Sequence, residues 1–293
     1  MDFLSNLVNG ISLGSIYAII ALGYTMVYGI AKMLNFAHGD IIMVGAYVCY
    51  FAVFFFSLPG WLGVIIAMAF CLLLGVTVEK LAYKPLRRAD SLAVLITAIG
   101  VSYFLENTAQ LAFGANTVFF PNLFEAEPIR LFGGGVTVSV VSIVSIGTCL
   151  VVMALLTLFV TRTKKGKAMR ACSEDKEAAT LMGISVNKTI SLTFAIGSAL
   201  AALAGVLLCS AIPSLSPTTG SMPGIKAFTA AVFGGIGSIP GAFIGGLLLG
   251  VIEILSKAYI STQISDAIVF LVLIIVLLVR PTGILGRKVQ EKV

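Results

Sequence analysis

Thr161–Lys188 reads TRTKKGKAMRACSEDKEAATLMGISVNK, a long charged interlude between two apolar runs, 138–161 and 189–211. Each run is long enough to cross the roughly 30 Å hydrocarbon core of a bilayer as a helix. A polar loop held between two such runs defines a polytopic membrane protein, and here the loop has structure of its own. Ser173 suits an N-cap, Glu174 and Asp175 fall where carboxylates complement the helix dipole, and Gly183 suits the C′ position. These signals predict a short surface helix over 174–182. Its Ala178, Ala179, Leu181 and Met182 are small or apolar, with Lys164, Lys165, Lys167, Arg170, Lys176 and Glu177 around them. Such a helix has the form of a knob for a partner's groove.

Composition agrees. Hydrophobic residues make up 59% of the chain and charged ones 11%, against roughly 25% charged in an average soluble domain. The mean hydropathy is +1.07 and the pI near 9.1. The net charge of +6 sits in short loops between apolar runs, so it encodes topology rather than nucleic-acid binding. Cys49, Cys71, Cys149, Cys172 and Cys209 are scattered singly, which indicates neither a disulfide framework nor a metal site. The first segment, MDFLSNLVNG, lacks a basic n-region and leads into a spanning run, so it reads as a retained helix.

Spans are expected at 7–30, 39–57, 61–82, 92–113, 138–161, 189–211, 241–260 and 264–281, with a ninth, glycine-broken segment at 224–239 that either crosses or re-enters. If it crosses, the two termini lie on opposite sides. Lys32, Lys80, Lys84, Arg87, Arg88, Arg162, Lys164, Lys165, Lys167, Arg170, Lys176, Lys188, Arg280, Arg287, Lys288 and Lys292 then share one side, leaving only Arg130, Lys226 and Lys257 for the other. By the positive-inside rule this favours nine crossings, an outside N-terminus and a cytoplasmic C-terminus. The chain as a whole, 1–293, is one all-α transmembrane bundle with the cytoplasmic loop at 162–188.

Irregular backbone at membrane depth survives only where it is buried in protein or lines a watery cavity. The stretch from Ile212 to Gly250, with Pro213, Pro217, Pro223 and Pro240 among its glycines, is therefore a candidate for a pathway, Gly234 and Gly235 included. Close helix packing is the alternative, because Gly10-x-x-x-Gly14, Gly241-x-x-x-Gly245 and Gly246-x-x-x-Gly250 are small-x-x-x-small patterns. Intramembrane carboxylates point to function by default. Glu106, beside Asn107, and Glu253 are such residues, and interhelical hydrogen bonding is their bland reading. Asn35, His38 and Asp40 cluster at the mouth between the first two spans, where a lone histidine can at most pair with Asp40 or brace the junction. Glu79 and Lys80 read as interfacial. There is no G-x-x-x-x-G-K-[ST] pattern and no convergent catalytic set, so a nucleotide site and an enzyme are not expected.

Glu177-Ala178-Ala179-x-x-x-Gly183 resembles the EAA loop of permease subunits of binding-protein-dependent ABC importers. The Ile-x-Leu-Pro tail of many such loops is missing, since position 193 is threonine, which fits the branch containing branched-chain amino acid and ribose permeases. Leu34-Asn35-Phe36-Ala37-His38-Gly39-Asp40, the run from Arg170 to Gly183, and Phe233-Gly234-Gly235-Ile236-Gly237-Ser238-Ile239-Pro240-Gly241-Ala242 are similar to the shorter branched-chain amino acid permease, over nearly the whole length. The resemblance implies a coupling helix, with Arg170, Glu174, Glu177, Ala178, Ala179 and Gly183 meeting a cytoplasmic ATPase. It also implies a second homologous permease, two ATPase subunits that hold the ATP and Mg, a periplasmic amino-acid-binding protein, and a bacterial inner membrane. It implies no cofactor and no metal on this chain. An importer permease for an amide, urea or a sugar is the nearest alternative. A self-sufficient ion-coupled carrier using Glu106 and Glu253 is the more distant one, because it has no need of a docking helix.

Overall fold

The structure, a computed structural model, describes residues 2–87, 89–124, 127–131 and 136–286. Arg88, Arg287, Lys288 and Lys292 of the charge comparison lie outside the described residues. The elements are α1 (Asp2–Ala31), α2 (His38–Phe54), α3 (Gly60–Val78) continued by a π-helical turn (Glu79–Tyr83), α4 (Ser91–Phe113), α5 (Val140–Arg162), α6 (Lys164–Glu174), α7 (Lys176–Leu181), α8 (Val186–Ala211), α9 (Ser221–Gly234), α10 (Ile239–Tyr259) and α11 (Ser265–Val279). Four short strands complete it: β1 (Val118–Phe119) pairs with β4 (Ser214–Leu215), and β2 (Ile129–Leu131) with β3 (Val136–Val138), both antiparallel.

α1 and α8 form the centre and are buried along most of their length, whereas α3, α4 and α5 present broad apolar faces outward. Small residues set this arrangement. A Cβ on Gly14 would lie 2.7 Å from the Leu247 carbonyl oxygen, and one on Gly10 would lie 2.9 Å from the Val251 Cα, so α1 and α10 run antiparallel with backbones in near contact. Without a hydrophobic drive between helices in lipid, such close approach is what holds spans together. α8 is gripped in the same way by Gly45 of α2 against Ala202 and Gly75 of α3 against Ser198. The packing expectation for the Gly10, Gly14, Gly246 and Gly250 patterns therefore describes what they do here.

Among the described residues six helices are long and apolar enough to cross a membrane: α1, α3 with its π turn, α4, α5, α8 and α10. The expected spans at 39–57 and 264–281 are shorter helices, of 17 and 15 residues, and the broken segment gives a helix of 14. Their apolar runs include lead-ins that are not helical, which hydropathy cannot register. α2 begins at His38, whose imidazole lies where a Gly23 side chain would be, eight residues back from the end of α1. Residues 32–37 thus fold back into the bundle. Likewise Gly220, at the start of α9, rests on Gly39.

α2 and α9 start inside the bundle, where Gly39 and Gly220 meet, and the chain reaches each through a non-helical lead-in. Gly237 approaches Gly29, and Ile284 N donates to the Phe233 carbonyl, which places residues 280–285 at the Ala31 end. Phe3 meets Tyr259 at the opposite end. The start of α1 and residues 280–285 therefore lie at opposite ends of the bundle.

Candidate functional site

The charged loop folds into two helices rather than one. The backbone turns extended at Asp175 (φ −153°), ending α6 and starting α7. The N-cap is therefore Asp175 and not Ser173: its Oδ1 accepts from Glu177 N at 2.8 Å and Ala178 N at 2.9 Å, while the Ser173 hydroxyl donates backward to the Arg170 carbonyl. Both residues suit a cap, and only the chain break at 175 decides between them. At the other end Gly183 holds φ +79°, Ile184 N donates to Ala179 O and Gly183 N to Thr180 O. That is a Schellman closure, and it bears out Gly183 as C′. Asp175→Ala is expected to cost about 1 kcal/mol of local stability, checked by faster amide exchange confined to 177–181.

α6 faces the bundle through Gly166, Met169 and Cys172, leaving Arg170 and Glu174 outward. On α7 only Ala179 is buried; Glu177 and Ala178 are exposed, and Leu181 and Met182 stand 88% and 82% exposed. Behind them Lys176 Nζ donates to the carbonyl of Ala31, the last residue of α1, at 2.8 Å. A cation there satisfies an orphan carbonyl and complements the negative end of a 30-residue helix. Burial, then the nearby Arg87 and Lys32, lowers the Lys176 pKa. The exposed helix is thereby tied to the central span.

Sequence reasoning missed the brace beside it. Glu79 is buried, not interfacial: it pairs with Arg87 and accepts from Ser191 Oγ at 2.6 Å, and Arg87 also reaches Asn187. α3, the following turn and the start of α8 are thus joined at the Ala31 end.

Deeper in the bundle lie Asn35, His38 and Asp40, all buried. The Tyr83 hydroxyl donates to Asn35 Oδ1 at 2.7 Å. His38 hydrogen-bonds the Ile20 backbone and packs against Tyr24 with ring centroids 4.5 Å apart. Asp40 lies within electrostatic reach of Ser102 and Glu106 of α4, so it faces α4 rather than His38. Asn35 Nδ2, His38 Nε2 and Asp40 Oδ2 have no hydrogen-bond partner among the described residues. Buried polar atoms left open in this way are uncommon and mark places where another species is met. A cleft of about 10 Å³, room for about one water, opens beside Asn35, Tyr24 and Phe228.

The remaining candidates lie apart from this group. Gly234 packs on Gly241 at the Ala31 end, where Gly235 takes φ +107° against residues 285–286. Glu253, 1% exposed, accepts from Tyr17 at 2.9 Å, Lys226 at 2.8 Å and Lys257 at 2.6 Å, and Lys226 also pairs with Asp266 at 2.7 Å. Lys226, left to the outer side by the charge comparison, is a buried residue of α9. Opposite charges within two apolar segments were the signal that could have paired it with Glu253. Among the described residues no group of His, Cys, Asp and Glu could hold a metal ion, and all five cysteines are buried and free.

A helical bundle with these spans and an exposed, doubly capped helix anchored on its central span is the architecture of a multi-pass transport permease. The family described as branched-chain amino acid transport system, permease component, matches residues 6–277, and the chain belongs to it. It is 48% identical to the high-affinity branched-chain amino acid transport system permease protein LivH of Salmonella typhimurium, over 99% of this chain and 98% of that one. To the corresponding protein BraD of Pseudomonas aeruginosa it is 46% identical over the same shares. The fructose import permease protein FrcC of Rhizobium meliloti is 36% identical over only 35% of this chain.

Proposed function

We propose that this chain is one of two membrane-spanning subunits of an ATP-driven importer, moving leucine, isoleucine or valine through a bacterial inner membrane. The Ala31 end, where the described cations gather, faces the cytoplasm, and the N-terminus faces outside. Two ATPase subunits, which hold the ATP and Mg, dock on α7; a second, homologous but distinct permease completes the pathway; and a periplasmic binding protein delivers the amino acid. This chain itself holds no cofactor. Relatives that match nearly end to end favour the amino-acid reading over a sugar permease, whose likeness covers about a third of the chain.

The observation that carries the reading is α7 itself. A short helix closed by Asp175 and Gly183 is stiff, exposes Glu177, Ala178, Leu181 and Met182 to a partner, and holds the end of α1 through Lys176. Displacement of α7 by closing ATPases passes directly into the central span, where a loose loop would absorb it. Glu177→Lys, and Gly183→Val at a left-handed position, are each expected to lower ATP-driven leucine uptake by about tenfold or more with the protein still inserted. Normal uptake by both variants would refute the coupling role.

A further inference from the structure

α4 packs on the bundle through one narrow face, Val94, Ala98, Leu105 and Ala109. Beside that face run Ser102, Glu106 and Gln110 at four-residue spacing, flanked by Tyr103 and Asn107, so five polar side chains form one stripe along the helix. Tyr103, Asn107 and Gln110 are exposed, and Ser102 and Glu106 are half-buried. Ser102 is the midpoint of this 23-residue helix. At 1.5 Å per residue Glu106 and Asn107 stand only about 6–8 Å from the centre of the span. The Asn107 amide donates to the Tyr103 carbonyl of its own helix at 2.7 Å, and a carboxylate at the depth of Glu106 turns toward water or protein rather than acyl chains. The flank of α4 with Phe104 and Leu111, 68% and 89% exposed, next to Asn107 on the helix surface, suits lipid.

A second observation comes from α2. Asp40, 2% exposed, lies beside Ser102 and Glu106 of this stripe, and its Oδ2 is left open among the described residues. The stripe therefore ends inward on a buried carboxylate with a free acceptor. We propose that the α4 stripe is a wall of an aqueous transport pathway, and that Asp40 and Glu106 receive the ammonium group of an aliphatic amino acid in passage. This rests on the transport function argued above. An ammonium offers three donors to two carboxylates. The segment from Ser102 to Gln110 has no cation to hold the substrate carboxylate, so retention is weak, as a passage requires.

The test uses the complete importer in membrane vesicles. Asn107→Cys, Gln110→Cys, Phe104→Cys and Leu111→Cys are each exposed to a membrane-impermeant methanethiosulfonate, with the unaltered chain, whose cysteines are buried, as background. Positions 107 and 110 are expected to react about tenfold faster or more than 104 and 111. Four equally inert positions, or a disulfide between position 107 and a neighbouring permease, would overturn the aqueous wall, the second by showing a packed interface. In the same vesicles Glu106→Gln is expected to lower leucine uptake about tenfold with insertion unchanged, and Glu106→Asp to restore most of it. Wild-type uptake by Glu106→Gln would overturn the ammonium role. Failure of the unaltered importer to take up leucine would overturn the substrate assignment and the ammonium role with it, while the labelling still decides the wall.

Discussion

Glu253→Ala destabilises the folded bundle by about 3–5 kcal/mol, because the change leaves two cations in the protein without their shared anion. Lys226, Lys257 and the Tyr17 hydroxyl all converge on this carboxylate, from α9, α10 and α1. Lys226 keeps Asp266, but Lys257 loses the only ion-pair partner it has among the described residues. The comparison variant is Lys226→Met with Glu253→Met, which removes charges of both signs and fills the space with apolar volume. It is expected to lose less than Glu253→Ala alone, since a buried pair replaced by packed hydrophobic side chains is often nearly neutral. Thermal unfolding in mild detergent measures both. Equal stability of Glu253→Ala and the unaltered chain would show that the network carries no weight.

The second large effect is expected at the α1–α10 crossing. Gly14→Val places a branched side chain where a Cβ alone would already stand 2.7 Å from Leu247 O and 2.8 Å from Leu247 Cα. The obstacle is backbone, so no rotamer relieves it, and the loss exceeds the about 1–3 kcal/mol of an ordinary overpacked core. Tyr17 lies one turn further along α1, so prying α1 from α10 also pulls its hydroxyl from Glu253. Gly14→Val and Glu253→Ala are accordingly expected to be less than additive when combined, which a double-mutant cycle of unfolding midpoints reads directly.

What could be read from the chain follows from how local each signal is. The short surface helix was legible because caps act within four residues; Ser173 stood in for Asp175 because two good cap residues stand close together, and the preceding helix α6 was not expected. The gathering of cations at one end was legible from the loops, and Lys32, Arg87 and Lys176 lie together at the Ala31 end. The lead-ins to α2 and α9 were not legible, since 32–37 and 216–220 are folded back by contacts such as Gly39 with Gly220, distant in sequence. Glu79 looked interfacial for the same reason: Ser191 lies 112 residues away. Of the candidate pathway residues, Asp40 and Glu106 were singled out separately, one with His38 and the other with Asn107, and the fold brings the two carboxylates within electrostatic reach of each other. Glu253 and Lys226 were each conspicuous, but their pairing depends on α9 lying against α10.

Reconstitution gives the most direct test of the central claim. Proteoliposomes containing this chain with its co-purified permease and ATPase partners are loaded with ATP and Mg, and uptake of radiolabelled leucine is followed with the delivering binding protein present. The account predicts ATP-dependent uptake that disappears when this chain is omitted or carries Glu177→Lys. Leucine uptake that proceeds from this chain alone, without ATP and unaffected by Glu177→Lys, would contradict it and point to a self-sufficient carrier.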